Sequence, residues 1–178
     1  MKWFLIAAIV MVALLLWRMS AFSKRSEPGV GAPAPDFALP DQDGRTRSLA
    51  EFRGKWLALY FYPRDDTPGC TRQACAFRDD WSKLAALEAQ VVGVSVNDVE
   101  SHLDFAKEHN LPFPLLADVG GAVAARYASL RDLGLVKFAR RNTFLIDPQG
   151  RIAQVYLSAN ASGNSREVLE DLKRLQRT

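Results

Sequence analysis

The feature that most constrains the fold of this chain is a nearly unbroken apolar run from Trp56 to Tyr62, which leads into a turn. An apolar run of strand length, without polar alternation, is typical of a β-strand that is covered on both faces. The turn contains Pro63, Pro68 and Gly69, and a helix is predicted from about Pro68 to Ala89. The sequence therefore predicts a buried strand whose carboxyl end meets the start of a helix.

Cys70 lies where this helix should begin, and Cys70 and Cys75 are the only cysteines among the 178 residues. The unpaired N–H groups and the dipole of a helix N-terminus stabilise an anion, which favours the thiolate, the nucleophilic form of cysteine. Thr67 is the predicted N-cap, and its hydroxyl can also reach the sulfur. The alternative is that Cys70 is only a small buried hydrophobe. The turn rich in proline and glycine favours the reactive thiol.

The spacing of the two cysteines adds a second constraint. In a regular helix, Cα atoms five residues apart are separated by about 8.5 to 9 Å, whereas a disulfide rarely spans more than about 7 Å. A bond between Cys70 and Cys75 therefore requires the first turns of the helix to unwind, and the spacing predicts a conformational switch. Two cysteines and two histidines are too few for a structural zinc site or a disulfide scaffold. A redox or nucleophilic pair is the better interpretation.

The rest of the chain after residue 35 alternates short apolar runs with helical patterns. A turn at residues 41–44 joins two short strands into a hairpin, and strand, helix and strand in succession indicate a parallel pair. Together, the predicted strands and helices indicate an α/β domain with a mixed central sheet and helices on both faces. The remaining predicted elements are strands at 37–39, 45–48, 90–96, 115–117, 143–147 and 152–157, and helices at 99–110, 121–127 and 165–177.

The chain begins with a hydrophobic segment, residues 1–25, in which an uncharged apolar run from Trp3 to Trp17 lies between Lys2 and Arg18. We expect an uncleaved N-terminal helix that anchors the protein in the inner membrane; the core of a signal peptide is the alternative. The positive-inside rule slightly favours a cytoplasmic body, whereas a signal anchor points to the periplasm, so the side stays open. A linker rich in proline and glycine, residues 26–35, precedes the folded domain, residues 36–178.

The charge of the body excludes one class of partner. Four of the 23 basic residues precede residue 26, whereas all 20 acidic residues follow it. The near-neutral body has neither a basic patch nor the interleaved basic and aromatic residues that bind a nucleic-acid strand. We therefore expect no nucleic-acid partner.

Several linked motifs occur in a fixed order. The first is the pattern Pro-x-x-x-Thr-x-x-Cys at Pro63, Thr67 and Cys70. Others are Ser101-His102, Leu111-Pro112-Phe113-Pro114-Leu115-Leu116-Ala117-Asp118 and Arg141-Asn142-Thr143-Phe144-Leu145-Ile146-Asp147. From about Gly31 to its C-terminus, the chain thereby resembles the peroxiredoxins, and within them the Q-type group, also called bacterioferritin comigratory proteins. The hydrophobic N-terminus departs from this group, whose members are usually soluble and cytoplasmic.

The resemblance implies a thioredoxin-like fold and a thiol-dependent peroxidase that reduces hydrogen peroxide and organic hydroperoxides. It makes Cys70 the peroxidatic cysteine, which becomes a sulfenic acid, and Cys75 the resolving cysteine, which forms an intramolecular disulfide with Cys70. Thr67 and Arg141 would hold the thiolate and the peroxide oxygens, and Pro63 would limit the access of water. Thioredoxin or a similar dithiol would reduce the disulfide. No metal, haem or flavin is required, and a monomer is expected.

Charged residues close to these motifs have plainer interpretations. Arg141 could join Lys137 and Arg140 in a solvated basic loop, although its place just before a buried strand favours the site. Asp65 and Asp66 could be paired carboxylates for acid and base chemistry, but turn formation is the preferred prediction.

Four further residues complete the sequence predictions. His102 and His109 lie on one predicted helix without the spacing of a metal pair, so both are predicted at the surface. Gln73 stands where the Q-type group often has Glu, which removes a charge near the cysteines but keeps hydrogen bonding. Ala128 stands where Gly is frequent, which should alter a turn.

Two other functions are left open by the sequence. A membrane-tethered thioredoxin-like thiol-disulfide oxidoreductase would share the fold and the anchor, but such proteins use Cys-x-x-Cys, and four residues separate the cysteines here. A tethered binding or scaffold module on the same fold would have lost activity, yet all five residues that the chemistry needs are present.

Overall fold

The computed structural model describes residues 27–177, which form nine strands and five α-helices. The strands are β1 (Ala38–Pro40), β2 (Thr46–Ser48), β3 (Trp56–Phe61), β4 (Ala89–Ser95), β5 (Leu115–Ala117), β6 (Leu130–Asp132), β7 (Lys137–Ala139), β8 (Thr143–Ile146) and β9 (Ile152–Tyr156). The helices are α1 (Pro68–Asp79), α2 (Trp81–Ala85), α3 (Val99–Glu108), α4 (Ala122–Arg126) and α5 (Asn164–Leu175).

A mixed five-stranded sheet lies at the centre, in the order β5-β4-β3-β8-β9. Strand β4 runs parallel to β3 and β5, whereas β8 runs antiparallel to β3 and β9. The hairpins β1–β2 and β6–β7 are separate two-stranded sheets. The predicted mixed sheet is confirmed, and so is the parallel pair that flanks the cysteine-bearing helix.

The buried strand β3 separates two hydrophobic cores, because its successive side chains point to opposite faces of the sheet. Ala58 and Tyr60 belong to the core that also contains buried residues of α1, α2, α3 and α5. Leu57 and Leu59 belong to the core that contains residues of α4. Burial on both faces explains why the sequence of this strand is continuously apolar rather than alternating.

The single helix predicted from Pro68 to Ala89 is wrong, since the chain breaks at Asp80 into α1 and α2. The Asp80 carboxylate accepts hydrogen bonds from Ser165 Oγ of α5, at 2.9 Å, and from Lys83 Nζ, at 2.7 Å. Aspartate side chains that bond away from the helical ladder favour helix ends over helix interiors. The break therefore depends partly on a contact with α5, which the local sequence does not contain.

The N-terminal anchor predicted at residues 1–25 lies outside the described residues. Within residues 27–177, no helix combines the length and apolar composition needed to cross a bilayer. Part of the predicted linker is attached to the body: the N–H of Gly31 donates to Ile152 O at 2.7 Å, and that of Ala34 donates to Gly150 O at 3.0 Å.

Ala128, which replaces a frequent glycine, has a left-handed backbone with φ of 50°. This conformation costs a residue with a Cβ about 1–2 kcal/mol, more than the roughly 0.5–1 kcal/mol by which glycine weakens a folded segment. We therefore expect Ala128→Gly to raise the free energy of unfolding by up to about 1 kcal/mol in urea denaturation. Ala125→Gly, inside α4, is the control and should lower it by about 1 kcal/mol. Equal losses in both variants would contradict the prediction.

Candidate active site

Cys70 is held in the first turn of α1, directly beyond the carboxyl end of β3. Tyr62 and the loop 63–67 connect the two elements, Thr67 has the extended backbone of an N-cap, and Pro68 is the first residue of the helix. Proline suits this position because the first helical N–H groups have no intrahelical acceptor. The Cys70 side chain is 1% exposed and packs in the same core as Tyr60.

Arg141 reaches Cys70 because β8 lies next to β3. Thr143, the first residue of β8, pairs with Tyr60, so the segment that precedes β8 ends beside the start of α1. Arg141 Nη2 donates to Cys70 Sγ at 3.3 Å. A Cβ added at Gly69 would lie 3.0 Å from this Nη2, so glycine leaves room for the guanidinium. The predicted juxtaposition of Arg141 and Cys70 is present, whereas Arg140 is exposed.

A chain of buried amides supports the guanidinium from behind. Arg141 Nη1 donates to Gln73 Oε1 at 2.6 Å, and Gln73 Nε2 donates to Asn164 Oδ1 at 3.0 Å. Thr143 Oγ1 donates to the same Asn164 oxygen at 2.6 Å. The expectation that Gln73 keeps hydrogen bonding is met, and Asn164 is a member of the site that the sequence alone did not indicate.

Thr67 is placed differently from the prediction. Its hydroxyl donates to the carbonyl oxygen of Arg64 at 3.0 Å and makes no capping bond to α1. The carbonyl of Thr67, in contrast, accepts the N–H of Thr71 at 2.9 Å, as the residue before a helix should. The backbone of Thr67 begins the helix, and its hydroxyl braces the preceding loop in this state.

Pro63 lies at the rim of an open groove. It is half-buried and lines a space of about 580 Å³ together with Val96, Val119, Val136 and neighbouring polar residues. The groove therefore lies near the carboxyl end of β3, where Pro63 follows the strand.

The two cysteines are both free, and both lie within the continuous helix α1. Cys70 is buried and Cys75 is half-buried. In a regular helix their Cα atoms are about 8.5 to 9 Å apart, which exceeds the reach of a disulfide. The dithiol state therefore has the folded helix that the sequence predicts for it.

Two buried tyrosines lie in the same core as the thiol and do not serve as bases. Burial, reinforced by neighbouring acidic groups, raises the pKa of Tyr60 and of Tyr62 well above the usual value. Both phenols are therefore neutral near pH 7. Tyr60 stacks on Phe77 of α1 with ring centroids 4.9 Å apart, which fixes the helix on β3.

Asp65 and Asp66 form the turn that the sequence predicted, whereas the surface position predicted for His102 is wrong. His102 was expected at the surface, but it is completely buried, and its Nδ1 lies 2.9 Å from Asp65 Oδ2. Asp65 is also buried, whereas Asp66 has a φ of 55° and forms the exposed part of the turn. A signal for His102 was present, because His102, Phe105 and Ala106 follow the i, i+3, i+4 spacing of a buried helix face.

One group of described residues has side chains suited to a metal. Asp66, Glu108 and His109 bring potential ligand atoms within 4.8 Å of one another. The two carboxylates are exposed, and such groups commonly lie together without an ion. We assign no metal site to them.

Comparison with known proteins defines the class. Residues 30–155 match the model of the AhpC/TSA family, so the chain belongs to this family. It is 42% identical over 159 residues to peroxiredoxin Q of Gentiana triflora, a chloroplast protein, covering 89% of this chain and 70% of that protein.

Solved structures agree with the sequence relatives. Peroxidoxin BcpB of Mycobacterium tuberculosis superposes with a TM-score of 0.80 at 34% identity, covering 84% of this chain and 99% of that one. The bacterioferritin comigratory protein of Xanthomonas campestris gives 0.73 at 29% identity, covering 78% and 91%. The chain thus has the thioredoxin-like fold and is a thiol-dependent peroxidase of the peroxiredoxin Q type. The alternative of a tethered thiol-disulfide oxidoreductase is not favoured.

The predicted inner-membrane location needs correction. No helix within the described part of the chain, residues 27–177, can span a membrane, and the gentian relative is a chloroplast protein. The comparisons support the thioredoxin-like domain of the predicted fold class, and nothing in the described residues supports the predicted membrane association.

Proposed function

We propose that this protein reduces hydrogen peroxide and organic hydroperoxides through a sulfenic acid on Cys70, which Cys75 then converts to a disulfide. The observation that carries the proposal is the 3.3 Å contact between Arg141 Nη2 and Cys70 Sγ at the start of α1. A cationic donor and a helix N-terminus both stabilise the thiolate, the nucleophilic form of the sulfur.

In the first step, the Cys70 thiolate attacks the distal oxygen of the hydroperoxide. An S–O bond forms as the O–O bond breaks, the sulfur loses two electrons, and the departing oxygen takes a proton and leaves as water or an alcohol. Negative charge moves from the sulfur to the departing oxygen, and Arg141 is placed to stabilise it throughout. Alkyl hydroperoxides are included because the similar Xanthomonas campestris protein has alkyl peroxide reduction activity.

Thr67 and Pro63 have supporting roles in this proposal. The Thr67 hydroxyl, now bonded to Arg64 O, would turn to the peroxide when substrate is bound. Hydroxyl rotors are free to exchange acceptors in this way. Pro63 would restrict water at the rim of the groove.

In the second step, the Cys75 thiolate attacks the sulfur of the Cys70 sulfenic acid, and hydroxide leaves as water after protonation. The Cα separation in α1 requires this helix to unwind before the bond can form. Both cysteines lie in one helix of one chain, so the reaction needs no second copy, which supports our proposal that the protein acts as a monomer. A thioredoxin-type dithiol then reduces the disulfide by exchange and restores α1.

The direct test mixes reduced protein with one equivalent of hydrogen peroxide and follows its mass after rapid acid quenching. We expect one added oxygen atom first, and then the loss of two hydrogen atoms relative to the reduced protein. Oxidation no faster than that of a small thiol in solution would overturn the proposal.

Cys75→Ser should separate the two steps. The rate of the first oxidation should stay within about twofold of the unmodified protein, because Cys75 lies outside the contact between Arg141 and Cys70. The sulfenic acid should then accumulate, since no internal thiol can displace hydroxide, and thioredoxin-coupled turnover should fall to background. The measurements are the quenched mass series and NADPH consumption with thioredoxin and its reductase. Full coupled turnover would remove Cys75 from the mechanism.

A further inference from the structure

The loop that joins β3 to α1 is anchored by one buried carboxylate, which belongs to none of the predicted site residues. Asp65 Oδ1 accepts the hydroxyl of Tyr62 at 2.7 Å. Asp65 Oδ2 accepts the hydroxyl of Ser101 at 2.7 Å and faces His102 Nδ1 at 2.9 Å. We call the set Tyr62, Asp65, Asn97, Ser101 and His102 the Asp65 clamp.

His102 is fixed inside this clamp by contacts at both ring nitrogens. Its Nδ1 faces the Asp65 carboxylate, and its Nε2 lies 3.2 Å from the carbonyl oxygen of Leu116. Both neighbours are oxygens that can accept a hydrogen bond, so the ring is held from two sides. Burial alone would raise the pKa of the Asp65 carboxyl, but hydrogen bonding and the charge of His102, aided by Ser101 and Tyr62, hold it below its usual value.

The backbone of the loop is tied to the same elements. The N–H of Asp65 donates to Asn97 Oδ1 at 3.2 Å. Asn97 is held in turn, because its N–H donates to Ser95 Oγ at 3.1 Å and its Nδ2 donates to Ser101 Oγ at 3.0 Å. The clamp therefore joins the loop to the end of β4 and to the first turn of α3.

The next residues of the loop have weaker attachments. Asp66 is exposed, with a left-handed backbone, and its carboxylate lies 3.7 Å from His109 Nε2. The Thr67 hydroxyl bonds only within the loop, to Arg64 O. Among the loop residues that precede α1, Asp65 is thus the buried anchor that lies nearest to the start of the helix.

We propose that Asp65 is a positioning residue for the peroxide reaction: paired with His102, it fixes the loop 63–67 and thereby the place at which α1 presents Cys70 to Arg141. The inference rests on the proposed function and adds a residue to it. When α1 unwinds to form the disulfide, the same clamp keeps the N-terminal end of the loop in place, so that α1 can refold onto an unmoved support.

The test uses the full chain with Cys75→Ser, in which only the first oxidation is observed. In this background, Asp65→Asn keeps the shape of the side chain but removes its charge and replaces one of its two acceptor oxygens with an NH₂ donor. We expect the second-order rate of sulfenic acid formation with hydrogen peroxide to fall at least about tenfold, because small displacements of reacting groups cost up to about 10² in rate. Asp66→Asn is the matched control and should stay within about twofold, since asparagine tolerates its backbone.

A second variant separates positioning from general stability. In the same background, His102→Asn keeps a donor near the position of Nδ1 and loses the contact of Nε2 with Leu116 O, so its rate should lie between those of the parent and of Asp65→Asn. Combined with Asp65→Asn, it should cause little further loss, because the two residues act as a unit. Melting temperatures are recorded alongside. A lower melting temperature for Asp65→Asn with an unchanged oxidation rate, or additive effects of the two substitutions, would overturn the proposal.

The outcomes also distinguish this inference from the proposed function. If the parent Cys75→Ser protein forms no sulfenic acid, the proposed function fails. If the parent reacts and Asp65→Asn reacts equally fast, only the positioning role fails. If Asp65→Asn does not fold, His102→Asn decides the matter, because an unchanged oxidation rate in that variant would overturn the proposal.

Discussion

Cys70→Ser is expected to abolish peroxide turnover. Serine is similar in size to cysteine, so the buried position in the first turn of α1 should be kept. Its hydroxyl is not ionised near neutral pH and cannot be oxidised to a sulfenic acid, so both the nucleophile and the electron source are lost. The measurement is thioredoxin-coupled NADPH consumption with hydrogen peroxide, with circular dichroism to verify that the variant is folded.

The remaining thiol provides an internal comparison for this result. In Cys70→Ser, Cys75 is the only cysteine, and Arg141 contacts residue 70 rather than residue 75. Oxidation of Cys75 should therefore proceed at the rate of an ordinary thiol. Peroxide turnover at more than a small fraction of the original rate would mean that Cys70 is not the nucleophile.

Arg141→Leu should produce the second largest loss. The change removes the donor to Cys70 Sγ and leaves the amide chain of Gln73 and Asn164 without its cation. Removal of one positioned donor from a developing charge typically costs about 10² to 10³ in rate, and we expect a loss in this range for sulfenic acid formation. Stopped-flow measurements with hydrogen peroxide give this rate directly when Arg141→Leu is made in the Cys75→Ser protein and compared with Cys75→Ser alone.

Two further variants show which property of Arg141 matters. Arg141→Lys keeps the charge but cannot reach Cys70 and Gln73 with two nitrogens of one planar group, so a loss of at least about tenfold remains. Arg140→Leu is the matched control, since Arg140 is the exposed neighbour. An equal effect of Arg140→Leu and Arg141→Leu would indicate a general electrostatic influence in place of direct contact.

Much of the fold was predictable because its signals are local. The apolar run of β3, the turn residues between β1 and β2 and the amphipathic pattern of α3 each lie within one short stretch. The hairpin β6–β7 was missed because its tip exposes apolar side chains, Leu133, Leu135 and Val136, which give no alternating pattern. The end of α1 at Asp80 was missed because its partner, Ser165, lies 85 residues further along the chain.

In the candidate site too, some contacts were predictable from the sequence and others were not. Cys70 and Arg141 were predicted together through motif order, and the pairing of β3 with β8 explains how two residues far apart in sequence meet. The Thr67 hydroxyl, Asn164 and the pair of Asp65 and His102 depend on side-chain directions. A turn motif and a helix pattern do not specify which polar group faces inwards, so these contacts required the three-dimensional structure.

The break at Asp80 limits how far unwinding needs to spread. Helix α1 has 12 residues, and a helix of this length is marginal without tertiary packing. At its C-terminal end, the Asp80 carboxylate accepts a hydrogen bond from Ser165 Oγ of α5. Arg78 Nη1, in the last turn, donates to His109 O at 2.8 Å. A catalytic cycle can thus melt a short, separately bounded segment while α2 and α5 keep their packing. The protein would recover its reduced form by rewinding a few turns, without refolding its core.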